Sequence, residues 1–511
     1  MEVSDQHKST TNENEQSDSR ELNASLTSIS RGATLFVCGK GIDNVLRFGI
    51  NVVLTRGLGE ALFGVYTYGY LVLSLLSTVT NLGTDTAILK YLSQYEGQHM
   101  QQNRILGLSF LTSLLGSVAI GSALFLGAPF ISGHTLDDPL LTNVLRILAI
   151  VIPFNALGNC ILTTFKAMER PEYQVFVLNV LSPLLRLLLI AIALLLGSEL
   201  IGVIASSVAA AVLVFFVSVS LFLTRTSFRP TVRGTSDDVV EFYNYSLPLT
   251  LTQAGSILAN RIDVLMVGIF IQQSTAVGVY KVSLIIAGML VLPLSAFNQI
   301  FPPIASRLHS NGKKEELESI YRLLTRWIFT VALFFFLCTV IYSDSILRIF
   351  GDGYVSGSTI LILFTVGQLA NAAVGPSGYL LMMTDHQYLT LLNRWGLGIL
   401  NVICNYFFIQ KFGLAGAALA TASVLGLINV ARVVEVWYTE QLFPYSWGFS
   451  KPIIAAAGAG AVMYGLRDVL SSYGLLLGGS AVGFCIFAGI LILLGIEAED
   501  REFFSTITSR L

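Results

Sequence analysis

The sequence predicts an all-α integral membrane protein of about fourteen transmembrane helices, arranged as two parallel six-helix repeats followed by a helix pair. Three observations lead there. Of the 511 residues, 54% are hydrophobic and only 12% charged, against about 25% charged in soluble domains, and the mean hydropathy is +0.71. Apolar stretches of about 20 residues, the length that crosses a hydrocarbon layer at 1.5 Å per residue, follow one another along the chain. Short patterns also recur at one offset in the two halves of the sequence.

Residues 1–30 are polar and lack the apolar centre of a signal peptide, so they read as a disordered cytoplasmic tail. Helices are then expected near 33–57, 61–84, 104–130, 140–165, 173–197, 200–224, 243–270, 276–303, 323–343, 357–383, 386–410, 413–438, 452–468 and 473–495. Alternate connections are basic: Lys90 and Arg104, Lys166 and Arg170, Arg225 to Arg233, and the segment from Arg307 to Arg326. Positive charge stays inside, which puts these connections and both termini on the cytoplasmic side of a multi-pass protein of the cell membrane. The Arg307–Arg326 segment also suits anionic head groups, making membrane lipids an expected partner.

No connection exceeds about 25 residues, which leaves no room for a soluble catalytic domain, and an enzyme is not expected. The five cysteines lie in apolar stretches without metal-ligand spacing, so neither metal nor cofactor is expected. A net charge of -2 gives no reason to expect nucleic acid as a partner.

The repeat sets the domain organisation. Gly64-Val65-Tyr66 recurs 214 positions later as Gly278-Val279-Tyr280, Leu200-Ile201-Gly202 recurs at the same offset as Leu414-Ala415-Gly416, and Met168 and Tyr173 recur 215 positions later as Met383 and Tyr388. An even number of helices per repeat keeps the halves parallel, related by an axis along the membrane normal. The expected division is an N-terminal lobe over 31–225, a cytoplasmic linker over 226–242, a C-terminal lobe over 243–440, and two extra helices with a short cytoplasmic tail over 441–511.

Lys40, Asp43, Asn44, Arg47 and Asn51 fall on one side of the first helix. Charges at that depth cost several kcal/mol each unless they face protein or a water-filled cavity. The 214-residue offset pairs Arg47 with Arg261 on the seventh helix, which also carries Gln253, Ser256, Asn260 and Asp263. The 215-residue offset pairs Asn179 and Arg186 of the fifth helix with Arg394 and Asn401 of the eleventh. Gln368 and Asn371 of the tenth helix add uncharged partners.

In this set Lys40, Arg47, Arg186, Arg261 and Arg394 outnumber Asp43 and Asp263, so the missing anion is expected to be cargo. Arginine suits phosphate, because its planar fork meets two oxygens at once. Asp43 and Asp263 are candidates for a coupling H+ or Na+, or for structural pairing with the arginines beside them. Arg432 and Glu435, three residues apart, read as a local ion pair.

Arg56-Gly57-Leu58-Gly59 followed by Phe63-Gly64-Val65-Tyr66, together with the helix count, resembles the polysaccharide (Wzx-type oligosaccharide) flippases. These form part of the superfamily that also holds multidrug extruders and the lipid II flippase. The resemblance covers about residues 30–500. It implies V-shaped lobes that move a lipid-linked oligosaccharide from the inner to the outer leaflet by alternating access, with glycan-biosynthesis enzymes as neighbours. A drug/cation antiporter of the same superfamily is the competing expectation, and it predicts a cavity dominated by carboxylates and aromatics. A membrane-embedded glycan polymerase or glycosyltransferase would need a long extracytoplasmic loop with acid/base residues.

Overall fold

The computed structural model describes residues 3–232, 236–468 and 472–495, and the side chains among them outside 3–38, 236–238, 249, 251–260, 468 and 472. Every regular element among these residues is helical. Ten helical runs among the described residues are long and apolar enough to cross a membrane. The chain is an all-α multi-pass membrane protein.

Two of those runs contain a sharp break, so helices expected as separate pairs appear as single runs. Helix α1 (Val3–Thr80) turns at Gly59, whose φ of 73° and ψ of 176° fall in a region open only to glycine. The expected tail over 1–30 precedes the first described side chain, that of Lys40. The other elements that matter here are α2 (Thr84–Gln94), α3 (His99–Gly133), α4 (Pro139–Ala167), α5 (Pro171–Val175), α6 (Ser182–Leu195) and α7 (Leu200–Arg225). They are followed by α8 (Ser236–Ile271), α9 (Ser274–Gly288), α10 (Leu292–Ser310), α11 (Lys314–Ile341), α12 (Ser343–Arg348), α13 (Ser358–Ala373) and α14 (Ser377–Met383). Helix α15 (Gln387–Glu440) bends at Gly413 (φ 57°, ψ -137°). The series closes with α16 (Ser450–Gly465), the single turn α17 (Ser472–Gly474) and α18 (Ser480–Leu493).

The chain forms two compact units. The first comprises residues 1–53, 76–126 and 146–252. Its core gathers Ile88, Tyr91, Leu106, Phe165, Phe222 and Phe242. The hydroxyls of Thr84 and Ser113 (3.0 Å apart) and the thiol of Cys160 (3.0 Å from Ser113 Oγ) link α2, α3 and α4, a polar contact that the apolar surroundings retain. Between α5 and α6 the chain widens into a π turn, Phe176–Leu181. Pro183, in the first turn of α6, has no N–H to give the Asn179 carbonyl four residues back, and the wider turn accommodates that missing bond.

The second unit comprises residues 54–75, 127–145 and 253–511. Its core is built on Phe301, Tyr321, Ile328, Ala372, Leu380 and Leu381, and the buried Tyr321 hydroxyl donates to the Val374 carbonyl at 3.1 Å. Ala455, Ala459 and Phe487 of α16 and α18 pack against Phe329 and Leu333 of α11, so the C-terminal pair is seated on the second half of the chain. Residues 54–75 of α1 belong to this unit as well. Arg56 donates from Nε to the Ile349 carbonyl (2.7 Å) and from Nη2 to the Arg348 carbonyl (2.6 Å). A cation thereby satisfies the orphan carbonyls at the end of α12.

Beyond Arg56, helices α1 and α9 cross at Gly64 and Gly278. A Cβ on Gly64 would overlap the Ser274 carbonyl oxygen and lie 3.1 Å from Gly278 N; one on Gly278 would overlap the Glu60 carbonyl oxygen and lie 3.2 Å from Gly64 N. The glycines that recur in the sequence therefore meet each other, reciprocally, at the closest approach of the two backbones.

Candidate polar sites in the two units

In the first unit, helix α1 concentrates its charge in one triad. The Asp43 carboxylate is 1% exposed and receives the Lys40 ammonium at 2.7 Å and the Arg47 guanidinium through Nε. The spacings i,i+3 and i,i+4 bring these groups together on one helix face. Both cations are more than half exposed, and the two terminal nitrogens of Arg47 have no partner among the described residues. Asn51 donates to the Arg47 carbonyl at 2.7 Å, and Asn44 is exposed on the same face.

The fifth-helix candidates stand alongside. Asn179, in the π turn, lies with Nδ2 3.4 Å from the position of a Cβ on Gly39, and Leu187 approaches Gly49 in the same way at 3.9 Å. The two segments therefore run side by side in the same direction. At 1.5 Å per residue, Arg47 lies about 12 Å beyond Gly39 and the half-buried Arg186 about 10 Å beyond Asn179, so the two arginines share a level.

In the second unit the candidates separate into a buried network and an open set. Asp263 is 6% exposed. Its carboxylate accepts from the Val264 amide (2.8 Å) and the Tyr280 hydroxyl (3.0 Å). Nearby, Asn401 donates to Thr421 Oγ1 at 3.3 Å, and Asn405 donates to Asn401 Oδ1 at 2.8 Å. Asn405 Oδ1 is buried and has no partner. The Lys281 ammonium is close enough to attract Asp263 and is itself repelled by Arg261.

Arg261 and Arg394 are exposed, and Gln368 and Asn371 are half-buried on α13. The side chains of Gln253 and Asn260 lie outside the described residues. In place of the Arg432–Glu435 ion pair expected from spacing, Glu435 Oε2 accepts from Asn393 of the other arm at 2.6 Å, and Arg432 Nη1 donates to Asn429 Oδ1, three residues earlier on its own helix, at 3.1 Å.

Sequence reasoning passed over Tyr280, Thr421, Asn405, Asn393 and Asn429. Asn405 was open to detection, because it lies four residues after Asn401 and so on the same face. Tyr280 belongs to the recurring Gly-Val-Tyr pattern, but no periodicity links a tyrosine on α9 to an aspartate on α8.

Among the described residues no group of histidine, cysteine and carboxylate side chains is arranged to hold a metal ion.

Comparison with known proteins adds the lineage. The family model described as polysaccharide biosynthesis protein matches residues 29–309, and the MatE family model matches residues 248–407. The probable low-salt glycan biosynthesis flippase Agl15 of Haloferax volcanii is 27% identical over 194 residues, which cover 35% of this chain and 38% of that relative. Among solved structures, the lipid II flippase MurJ in an inward closed conformation superposes with a TM-score of 0.70 at 14% identity, over 90% of this chain and 98% of that one. An inward-facing multidrug resistance transporter of the MATE family superposes with a TM-score of 0.61 at 15% identity, over 80% and 98% respectively. At such identities these two likenesses concern the fold.

Proposed function

The chain belongs to the polysaccharide biosynthesis protein family, and from that premise we propose that it flips a lipid-linked oligosaccharide across the cell membrane. In this reading a glycan carried on a pyrophosphate or phosphate moves from the inner to the outer leaflet by alternating access, for assembly of a surface polysaccharide or glycan. The flippase name of the archaeal relative supports the reading.

The observation that carries it is the α1 triad. Asp43 is consumed inside the triad, whereas Arg47 spends only Nε on it and is 58% exposed. The triad therefore presents a net positive charge and a free pair of N–H donors, the complement of a phosphate group. Arg186, at the same level in the first unit, adds a second guanidinium beside the triad. A cation antiporter would present carboxylates instead, and both Asp43 and Asp263 are buried and hydrogen-bonded. If the basic connections face the cytoplasm, the contacts of Arg56, Gly64 and Gly278 close the extracytoplasmic ends of these helices, and release outside requires them to part.

The direct test is transport. Cells without the protein should lose surface glycan and accumulate the lipid-linked precursor with its sugar facing the cytoplasm. The purified full chain should equilibrate a fluorescent lipid-linked oligosaccharide between the leaflets of vesicles. Vesicles that move a cationic dye but not the glycan lipid would favour the antiporter.

Asp263 is the proposed site of the coupling H+ or Na+, because an ionisable carboxylate buried within a membrane helix is a usual relay element. Asp263→Asn preserves shape and removes the charge. It should make flipping indifferent to an imposed H+ or Na+ gradient, with the driven rate down about tenfold or more if coupling contributes at least 1.4 kcal/mol. Undiminished gradient dependence in this variant would make the network structural.

A further inference from the structure

The bend at Gly413 folds α15 into two antiparallel arms, as the contacts of Asn393 with Glu435 and of Asn401 with Thr421 require. In that register Arg394 on the first arm faces the region of Arg432 on the second, whose guanidinium is attracted by Glu435 and, less strongly, repelled by Arg394. Arg432 is half-buried, and Asn429, one turn before it, is 1% exposed.

The hydrogen-bond inventory at this point has too many donors. A guanidinium can only donate, so the Asn429 amide must turn Oδ1 toward Arg432, which it does at 3.1 Å. That leaves Asn429 Nδ2 as a buried donor without a partner among the described residues. A buried amide in this state is destabilising relative to a satisfied one. The nearby carboxylate, Glu435, is engaged by Asn393. Gly378 of α14 flanks Arg432 and has no side chain to cover it: a Cβ there would stand 3.9 Å from Nε.

We propose that Arg432, Asn429 and Arg394 form an oxyanion-binding site that receives the phosphate of the lipid-linked glycan as it enters; the proposal rests on the flippase reading above. Two guanidiniums and an orphan amide N–H offer donors only, and an oxyanion offers acceptors only.

The test uses the full chain in nanodiscs of phosphatidylcholine, with a polyprenyl diphosphate as the probe and phosphatidylglycerol as competitor. The wild type should bind the probe, R432Q and R394Q should each bind it about tenfold or more weakly, and R432K, which keeps the charge but not the fork, should fall between. Arg394 is exposed, so R394Q reports on binding even if loss of Arg432 lowers the melting temperature. Wild-type affinity in R432Q and R394Q overturns the site while leaving the flippase reading intact. Equal competition by phosphatidylglycerol overturns the assignment to the glycan lipid, and a wild type that binds no diphosphate overturns both.

Discussion

Replacing Arg47 and Arg261 together with alanine should reduce glycan export to the background of cells lacking the protein. Each arginine offers charge-assisted hydrogen bonds worth about 1.5–3 kcal/mol, so each single substitution should slow flipping by about tenfold or more, at 1.4 kcal/mol per decade. The fold should survive. Both side chains are exposed, and Asp43 keeps the Lys40 ammonium at 2.7 Å when Arg47 is removed. Surface glycan and the sidedness of the precursor provide the readout, with the melting temperature of the purified variant as control. Normal export in the double variant would remove both residues from the substrate path and leave the triad as a structural element of α1.

Gly278→Val should be the most damaging single substitution outside the charged sites. Its Cβ would overlap the Glu60 carbonyl oxygen, and its methyl groups would be driven into the α1 backbone near Gly64. Backbone cannot rotate out of the way as a side chain can. The expected loss is about 3 kcal/mol or more, at the upper end of overpacking penalties, visible as a lower melting temperature of the full chain in detergent. The reciprocal Gly64→Val should behave alike, since its Cβ meets the Ser274 carbonyl oxygen. Unaltered melting in both would show that the helices do not cross this closely in the membrane.

Much of the architecture is legible along the chain because a bilayer leaves few options. Apolar stretches without internal charge must be helices there, since no water is available to satisfy the backbone. The sharp breaks fall at glycines, Gly59 and Gly413, where positive φ carries no steric penalty. The Lys40, Asp43 and Arg47 cluster was also legible, because its partners are three and four residues apart on one helix and local periodicity suffices to join them.

The second-half site was not legible, for the complementary reason. Asp263 takes its hydroxyl donor from α9, and Glu435 accepts from Asn393 of the other arm while Arg432 donates to Asn429. Spacing along one helix cannot report which neighbour competes for a hydrogen bond across another. The sequence by itself determined the membrane class, the helical elements, their breaks and the excess of cations over anions, all consequences of local composition and period. Only the tertiary structure decided which carboxylates are already satisfied and which donors are left waiting. Hydrogen-bond satisfaction is settled by whatever side chains the packing brings within about 3 Å.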